Sequence, residues 1–365
     1  MRHFLLPPVL LLASCGAAGS PEAPEAQAPA AEAQSRPAAA SAPAIPALTP
    51  ESVEQAQYRP GAGQPAPTST PAPGQAEPAA RQPAAPDPAV VRAQILLDRA
   101  RFSPGVIDGF GGENTQQAIA AFEKASGLPT DGQLDEQVFQ RLTSGDAGSA
   151  LARYTITEAD LRGPFIGTVP SDVERLAALP APGFGSPVEM FAERFHMTEG
   201  LLRALNPGVD FGRAGQAIVV ARVAQQTLPA DVARIELSKA ESALRAFDAE
   251  GRLLLFAPAT IGSDERPAPT GTLTINGVAP EPTYTYDPRR LTYGDAKRRL
   301  TVKAGPNNPV GTVWIDLSKD TYGIHGTPNP NKIAKTQSNG CIRLTNWDAE
   351  ALASRVKPGV EVVIR

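Results

Sequence analysis

Apolar residues recur at helical spacing in three short segments between residues 88 and 143: Val91, Ile95 and Leu96, then Ala118, Ile119 and Phe122, then Val138 and Leu142. This spacing predicts a small three-helix unit. Two Asp-Gly turns, 105–109 (GVIDG) and 128–132 (LPTDG), separate the helices and give the unit a weak internal duplication. Further on, FAERFHMTEGLLRALNPG predicts a helix that turns at Asn206-Pro207-Gly208 into a short apolar strand, 217–220. From about Leu228 the period falls to two. Ile235 and Leu237 alternate, 243–247 form a second run, 248–251 turn, and 252–261 return. Later runs at 273–275, 313–317 and 360–364 are strand-like, and only 348–356 has good helical spacing. The C-terminal third is therefore expected to be mostly β.

Residues 16–87 have no sustained apolar period and are built from Pro, Ala, Gln, Glu, Gly and Ser. Such a stretch cannot bury enough surface to offset the entropy of ordering, and it reads as a disordered tether. Composition agrees, because 18 of the 38 prolines fall in the first ninety of the 365 residues. A net charge of -4 and a pI near 5.6 give no attraction to a polyanion, so nucleic acid is set aside as a partner. The first fifteen residues, MRHFLLPPVLLLASC, combine a basic start, an apolar run too short to span a bilayer and small residues before a cysteine, the layout of an export signal. Leu12-Ala13-Ser14-Cys15 resembles a bacterial lipobox, which implies cleavage after residue 14 and lipidation of Cys15. Gly16 rather than aspartate after that cysteine implies the outer membrane of a two-membrane bacterium.

Lipidation of Cys15 would leave Cys341, the other of two cysteines, without a disulfide partner in an exported protein. Chemistry and deep burial are the two readings of such a thiol. A free thiol is mostly protonated at neutral pH and needs a histidine or a positive field to act as a nucleophile. Of three histidines, His3 leaves with the signal. His196, between Phe195 and Met197 with no ligand-spaced partner, reads as a packing or surface residue. His325 is then the base if there is one. It precedes Cys341 by 16 residues, and both lie beside glycines that admit close backbone approach and can aim N–H groups at an oxyanion.

Three resemblances extend this reading. PGVIDGFGGENTQQAIAAFEKASGLPTDGQLDEQVFQRL resembles the peptidoglycan-binding domain of wall enzymes, and the helix-turn-strand segment resembles in part a LysM-type glycan-binding module. Tyr322-Gly323-Ile324-His325-Gly326-Thr327 and Ser338-Asn339-Gly340-Cys341-Ile342-Arg343 resemble the paired motifs of the YkuD-type L,D-transpeptidases. Pro267-Ala268-Pro269-Thr270-Gly271 and Gly305-Pro306-Asn307-Asn308-Pro309-Val310-Gly311 agree with that family in order. The implied organisation is multidomain: a signal peptide (1–14), the lipidated cysteine and tether (15–87), an all-α peptidoglycan-binding domain (88–145), an α+β LysM-like segment (154–225) and a mostly-β catalytic domain (228–365).

The resemblance implies a thioester mechanism with Cys341 as nucleophile and His325 as base. Gly340, Gly326, Ser338 and Asn339 would shape the oxyanion pocket, and Arg343, Tyr322 and Thr327 would contact substrate. Asn339 stands where many relatives carry a second histidine, so no second imidazole is expected. Arg343 suits a stem-peptide carboxylate by its two-pronged geometry, or else braces the loop. The basic run Arg289, Arg290, Lys297, Arg298, Arg299 and Lys303 could attract acidic stem peptides but reads first as a solvated loop, and Trp314 and Trp347 read as core. No metal cluster or phosphate cradle is present in the sequence, and no cofactor is expected. The implied activity is release of terminal D-alanine from a tetrapeptide stem and formation of 3-to-3 crosslinks. Hydrolysis, attachment of a wall-bound lipoprotein and a non-catalytic tethering role are the alternatives. The implied partners are peptidoglycan stems and glycan, with the membrane reached through Cys15.

Overall fold

The computed structural model describes residues 45–63, 85–263, 266–289 and 296–365. Cys15 and Arg290 lie outside them, as does most of the expected tether. Within the tether reading, however, residues 45–63 are folded. Helix α1 (Pro50–Glu54) carries a full capping box between Thr49 and Ser52, and Val53 is fully buried against Val91 and Ile95. The Glu54 carboxylate accepts from the Leu151 N–H at 2.7 Å and the Ala150 N–H at 3.1 Å, and Arg59 pairs with Asp87 at 2.5 Å. The proline-rich composition hid a docking segment whose few apolar residues meet a surface supplied from elsewhere in the chain.

The three expected helices are α2 (Pro88–Arg99), α3 (Glu113–Ser126) and α4 (Glu136–Gly145). Asp87 and Asp135 cap α2 and α4 by accepting from Ala89 and Val138, and Gly127 ends α3 in the left-handed conformation. The duplication has a physical basis. Buried Gln94 of α2 accepts from the Asp108 and Gly109 N–H groups at 3.0 and 2.8 Å, and buried Glu123 of α3 accepts from Asp131 and Gly132 at 3.0 and 2.8 Å. Each Asp-Gly turn is thus tied to the helix before it.

The second module is β1 (Leu151–Thr155), α5 (Val173–Ala178), α6 (Pro187–Arg194), α7 (Glu199–Leu205) and β2 (Ala217–Ala221), with β1 antiparallel to β2. It begins at β1, three residues before the expected boundary. The expected single helix is two, because His196 takes φ +56° and Thr198 then caps α7 by accepting from Leu201. Its core is continuous with the first module through Val91 and Ile95 of α2 and through Ile107.

The third module contributes β3 (Arg234–Ser238), β4 (Ala243–Phe247), β5 (Leu253–Pro258), β6 (Thr260–Ile261), β7 (Gly271–Pro280), β8 (Tyr284–Tyr286), β9 (Leu300–Val302), β10 (Val313–Leu317), β11 (Gly323–His325), β12 (Ile342–Arg343), α8 (Asn346–Ala353) and β13 (Glu361–Ile364). Nine strands form one sheet in the order β5-β4-β3-β13-β7-β10-β11-β12-β6, and β8 pairs with β9 in a separate hairpin. The last strand enters the sheet centre, parallel to β3 and antiparallel to β7. Buried Ile315, Ile324, Ile342 and Leu352 knit β10, β11, β12 and α8 into the core.

His196 stands where the three modules meet. Its Nδ1 lies 2.8 Å from Asp98 Oδ2 of α2, and its ring stacks on Trp347 of α8 at 4.7 Å. Ser103 donates to Asp348 at 2.8 Å across the same junction. This histidine is a packing residue, as read, and its packing joins modules. Because Val53 is buried rather than tethered, Val53→Ala is expected to cost about 2 kcal/mol of stability in the full chain. Urea denaturation reads this directly, and an unchanged midpoint would restore the tether reading for residues 45–63.

Candidate active site

Strand pairing builds the site. β11 and β12 run parallel with Ile324 opposite Ile342 and His325 opposite Arg343. Cys341 immediately precedes β12, so two residues far apart in sequence lie on adjacent strands. The intervening loop is held at several points: Asn114 of α3 donates to the Ile333 carbonyl at 3.1 Å, and Ala334 N–H donates to Thr260 at 2.9 Å. Ser338 is buried and fully engaged. Its hydroxyl donates to the Cys341 carbonyl at 2.6 Å and accepts from the Gly262 N–H at 2.8 Å. Ser338 therefore positions the turn that carries Cys341 and has no proton left for an oxyanion.

Gly340 has φ +104°, and a Cβ there would meet the Tyr322 ring at 3.1 Å. Gly326 is required for a different reason, since a Cβ would collide with the Asn346 side chain. The Gly326 N–H is spent on the Val313 carbonyl at 3.3 Å, whereas those of Gly340 and Cys341 donate to no backbone acceptor outside the strand ladders among the described residues. The latter pair are thus the donors available to an oxyanion.

His325 Nδ1 lies 2.7 Å from the Gly326 carbonyl, which can only accept. The proton is therefore on Nδ1, and Nε2 carries the lone pair. Trp314 stacks on the ring at 5.4 Å. Burial pushes the imidazole down to about 4, against the raising effect of the Gly326 hydrogen bond, and Arg343 adds to the lowering. Burial also raises the Cys341 thiol, with the Gly323 backbone and Arg343 opposing it. The Sγ lies 3.6 Å from the Thr321 carbonyl. The resting pair is a neutral thiol and a neutral imidazole.

Both side chains line a cavity of about 840 Å³, together with Tyr322, Asn339, Arg343 and Trp314. The β8–β9 hairpin and its flanks roof it with Pro282, Tyr284 and Arg299. Trp314 is half-buried and forms a wall of this space, which corrects its reading as core; Trp347 is buried. Thr327 lines a neighbouring cavity instead of this one, and its hydroxyl accepts from the Asn329 N–H at 3.2 Å. Arg298 pairs with Glu174 at 3.8 Å, and Arg299 faces the catalytic cavity, so part of the basic run is not merely solvated. No group of three or more metal-binding side chains occurs among the described residues.

Sequence reasoning missed Asn346. Buried beside Gly311 and Gly326, it accepts from the Thr312 N–H at 3.2 Å and donates to Glu193 of α6 at 2.7 Å. Its only signal was proximity to the Cys341 motif. Glu193 gave none, since nothing in a helix of another module announces that it reaches this loop.

Comparison with known proteins places the β-rich module in a family. Residues 233–364 match the family model described as "L,D-transpeptidase catalytic domain" (YkuD), and residues 86–142 match "Putative peptidoglycan binding domain". The "Putative L,D-transpeptidase YkuD" of Bacillus licheniformis is 33% identical over 183 residues, 49% of this chain and 94% of that protein. Its Bacillus subtilis counterpart is 30% identical with the same coverage. Both alignments are longer than the catalytic-domain match and so extend N-terminal to it. An L,D-transpeptidase structure from Mycobacterium smegmatis covers 37% of this chain and 59% of its own, at 22% identity and a TM-score of 0.30, which is too low to bear on the site.

The neutral pair has a kinetic consequence. His325 is expected to remain an unprotonated base down to about pH 4, so the rate of Cys341 acylation should be level between about pH 5 and 7 and fall only below that range. Stopped-flow acylation across pH checks this; a half-maximal rate near 6.5 would mean an unperturbed imidazole.

Proposed function

The chain belongs to the L,D-transpeptidase family, and from that premise we propose that it crosslinks peptidoglycan through a thioester on Cys341. The observation that carries this reading is the pairing of β11 with β12, which sets the free Nε2 of His325 and the Cys341 thiol in one cavity. His325 Nε2 takes the thiol proton as Sγ attacks the carbonyl before a terminal D-alanine. The Gly340 and Cys341 N–H groups receive the negative oxygen, a contribution of about 3 kcal/mol per donor in related chemistry. The same proton passes to the departing nitrogen, the C–N bond breaks, and D-alanine leaves a thioester.

A second stem then supplies an amine. Its nitrogen attacks the thioester carbon, its proton goes to His325, and the C–S bond breaks to return the thiol through the same imidazole. With a diamino-acid side chain as acceptor, the product is a 3-to-3 crosslink. Arg343 supports substrate recognition: its Nε is buried with no hydrogen-bond partner, and it forms no ion pair among the described residues.

The upstream modules serve this reaction by holding the wall, and the leader pattern at Leu12-Ala13-Ser14-Cys15 supports export and a lipid anchor on the periplasmic side. Incubation of the purified chain with a disaccharide tetrapeptide should give an intact-mass adduct of the tripeptide acyl group, absent in Cys341→Ala, and dimers with 3-to-3 linkage. Tripeptide without dimers would make water or a protein amine the acceptor. A folded protein that neither forms an adduct nor turns over would contradict the catalytic reading.

A further inference from the structure

Beside the Cys341 cavity lies a second, of about 630 Å³. One wall is catalytic-domain surface, including Asn307, Thr327 and Arg343; the other is Glu189, Glu193 and Thr198 of the α6–α7 module. Pro309 and Arg343 line both cavities, so the two spaces are adjacent across Arg343, two residues beyond Cys341.

Transpeptidation brings two substrates to one thioester. The donor stem fills the space around Cys341, and the acceptor amine has to reach the same carbonyl from a direction the donor leaves open. A cavity that abuts the first across Arg343 lies in such a direction. Its charges are arranged for an amino-acid centre. Arg343 presents a guanidinium with no ion pair among the described residues, suited to a carboxylate. Across the cleft, Glu189 accepts from Asn307 at 2.8 Å and from the Gly185 N–H at 2.7 Å, and Glu193 accepts from Asn346 at 2.7 Å. Neither forms an ion pair among the described residues. Burial raises the Glu193 carboxyl to about 8, with the Asn346 hydrogen bond opposing and Glu189 and Glu350 adding. An arriving ammonium would relieve that strain.

We propose that this cleft is the acceptor subsite, holding the diamino-acid centre of the second stem with its carboxylate on Arg343 and its ammonium beside Glu193 and Glu189. The α6–α7 module thereby completes the active site as well as gripping the wall. On binding, the ammonium draws Glu193 into its carboxylate form and the carboxyl proton is lost to solvent; the ammonium then releases one proton to that carboxylate, the amine attacks the thioester carbon, a C–N bond forms, the C–S bond breaks, and the second proton passes through His325 to the Cys341 sulfur. The assignment rests on the transpeptidase reading above.

The test separates the two half-reactions in the full chain. Glu193→Gln keeps an acceptor for Asn346 but removes the carboxyl that an ammonium would ionise, and Val169→Trp narrows the cleft from its lining. Acylation by disaccharide tetrapeptide, read by intact mass, should stay within about twofold of the parent, while the KM for free diaminopimelate in thioester aminolysis should rise about tenfold in each variant. An unchanged KM in Val169→Trp would overturn the proposal. A parallel fall in acylation for Glu193→Gln would also overturn it, because Glu193 would then serve only to prop Asn346. A parent chain that never acylates would remove the transpeptidase reading first, and the subsite with it.

Discussion

The structure depends most on the parallel contact between two very short strands, β11 and β12, in which Ile324 faces Ile342 and His325 faces Arg343. Two residues of ladder are weak by themselves. The contact persists because both isoleucines are fully buried in the sheet core, with β10 on one side and β6 on the other. Everything chemical follows from that register. A slip by one residue would turn His325 to the opposite face of the sheet and away from the thiol.

Burial then decides the protonation states. The same apolar surroundings that fix the register disfavour both an imidazolium and a thiolate, so the resting site stores no ion pair. The Gly326 carbonyl orients the imidazole by taking its Nδ1 proton, and Asn346 fixes the Gly326 backbone by closing the space where a side chain would stand. Through Glu193, that asparagine also ties the catalytic loop to the upstream module. Asn114 and His196 make further ties, so the upstream helices and the catalytic sheet are assembled around one another instead of hanging on linkers.

Much of this was legible in the sequence, and the reasons differ by element. The three helices and their Asp-Gly turns were readable because period and turn chemistry are local. The expectation that Cys341 and His325 share a site came from the resemblance of their two motifs more than from their types and glycine neighbours, and the fold lines one cavity with both side chains. What escaped depends on contacts between distant segments. Val53 looks like one apolar residue in a proline-rich stretch until α2 supplies the surface that buries it. β11 and β12 are too short to carry any period, and Thr327, inside the right motif, faces the neighbouring cavity because the chain turns away after Gly326. Glu193 matters only because α6 packs where the catalytic loop passes.

The central claim is that His325 works as a neutral base whose Nδ1 proton is held by the Gly326 carbonyl. Nitrogen-15 NMR of the histidines, with His325→Asn for assignment, tests this directly. The account predicts an unprotonated Nε2 and a protonated Nδ1 at neutral pH, titrating near about 4. An imidazolium at neutral pH, or a proton resident on Nε2, would contradict it.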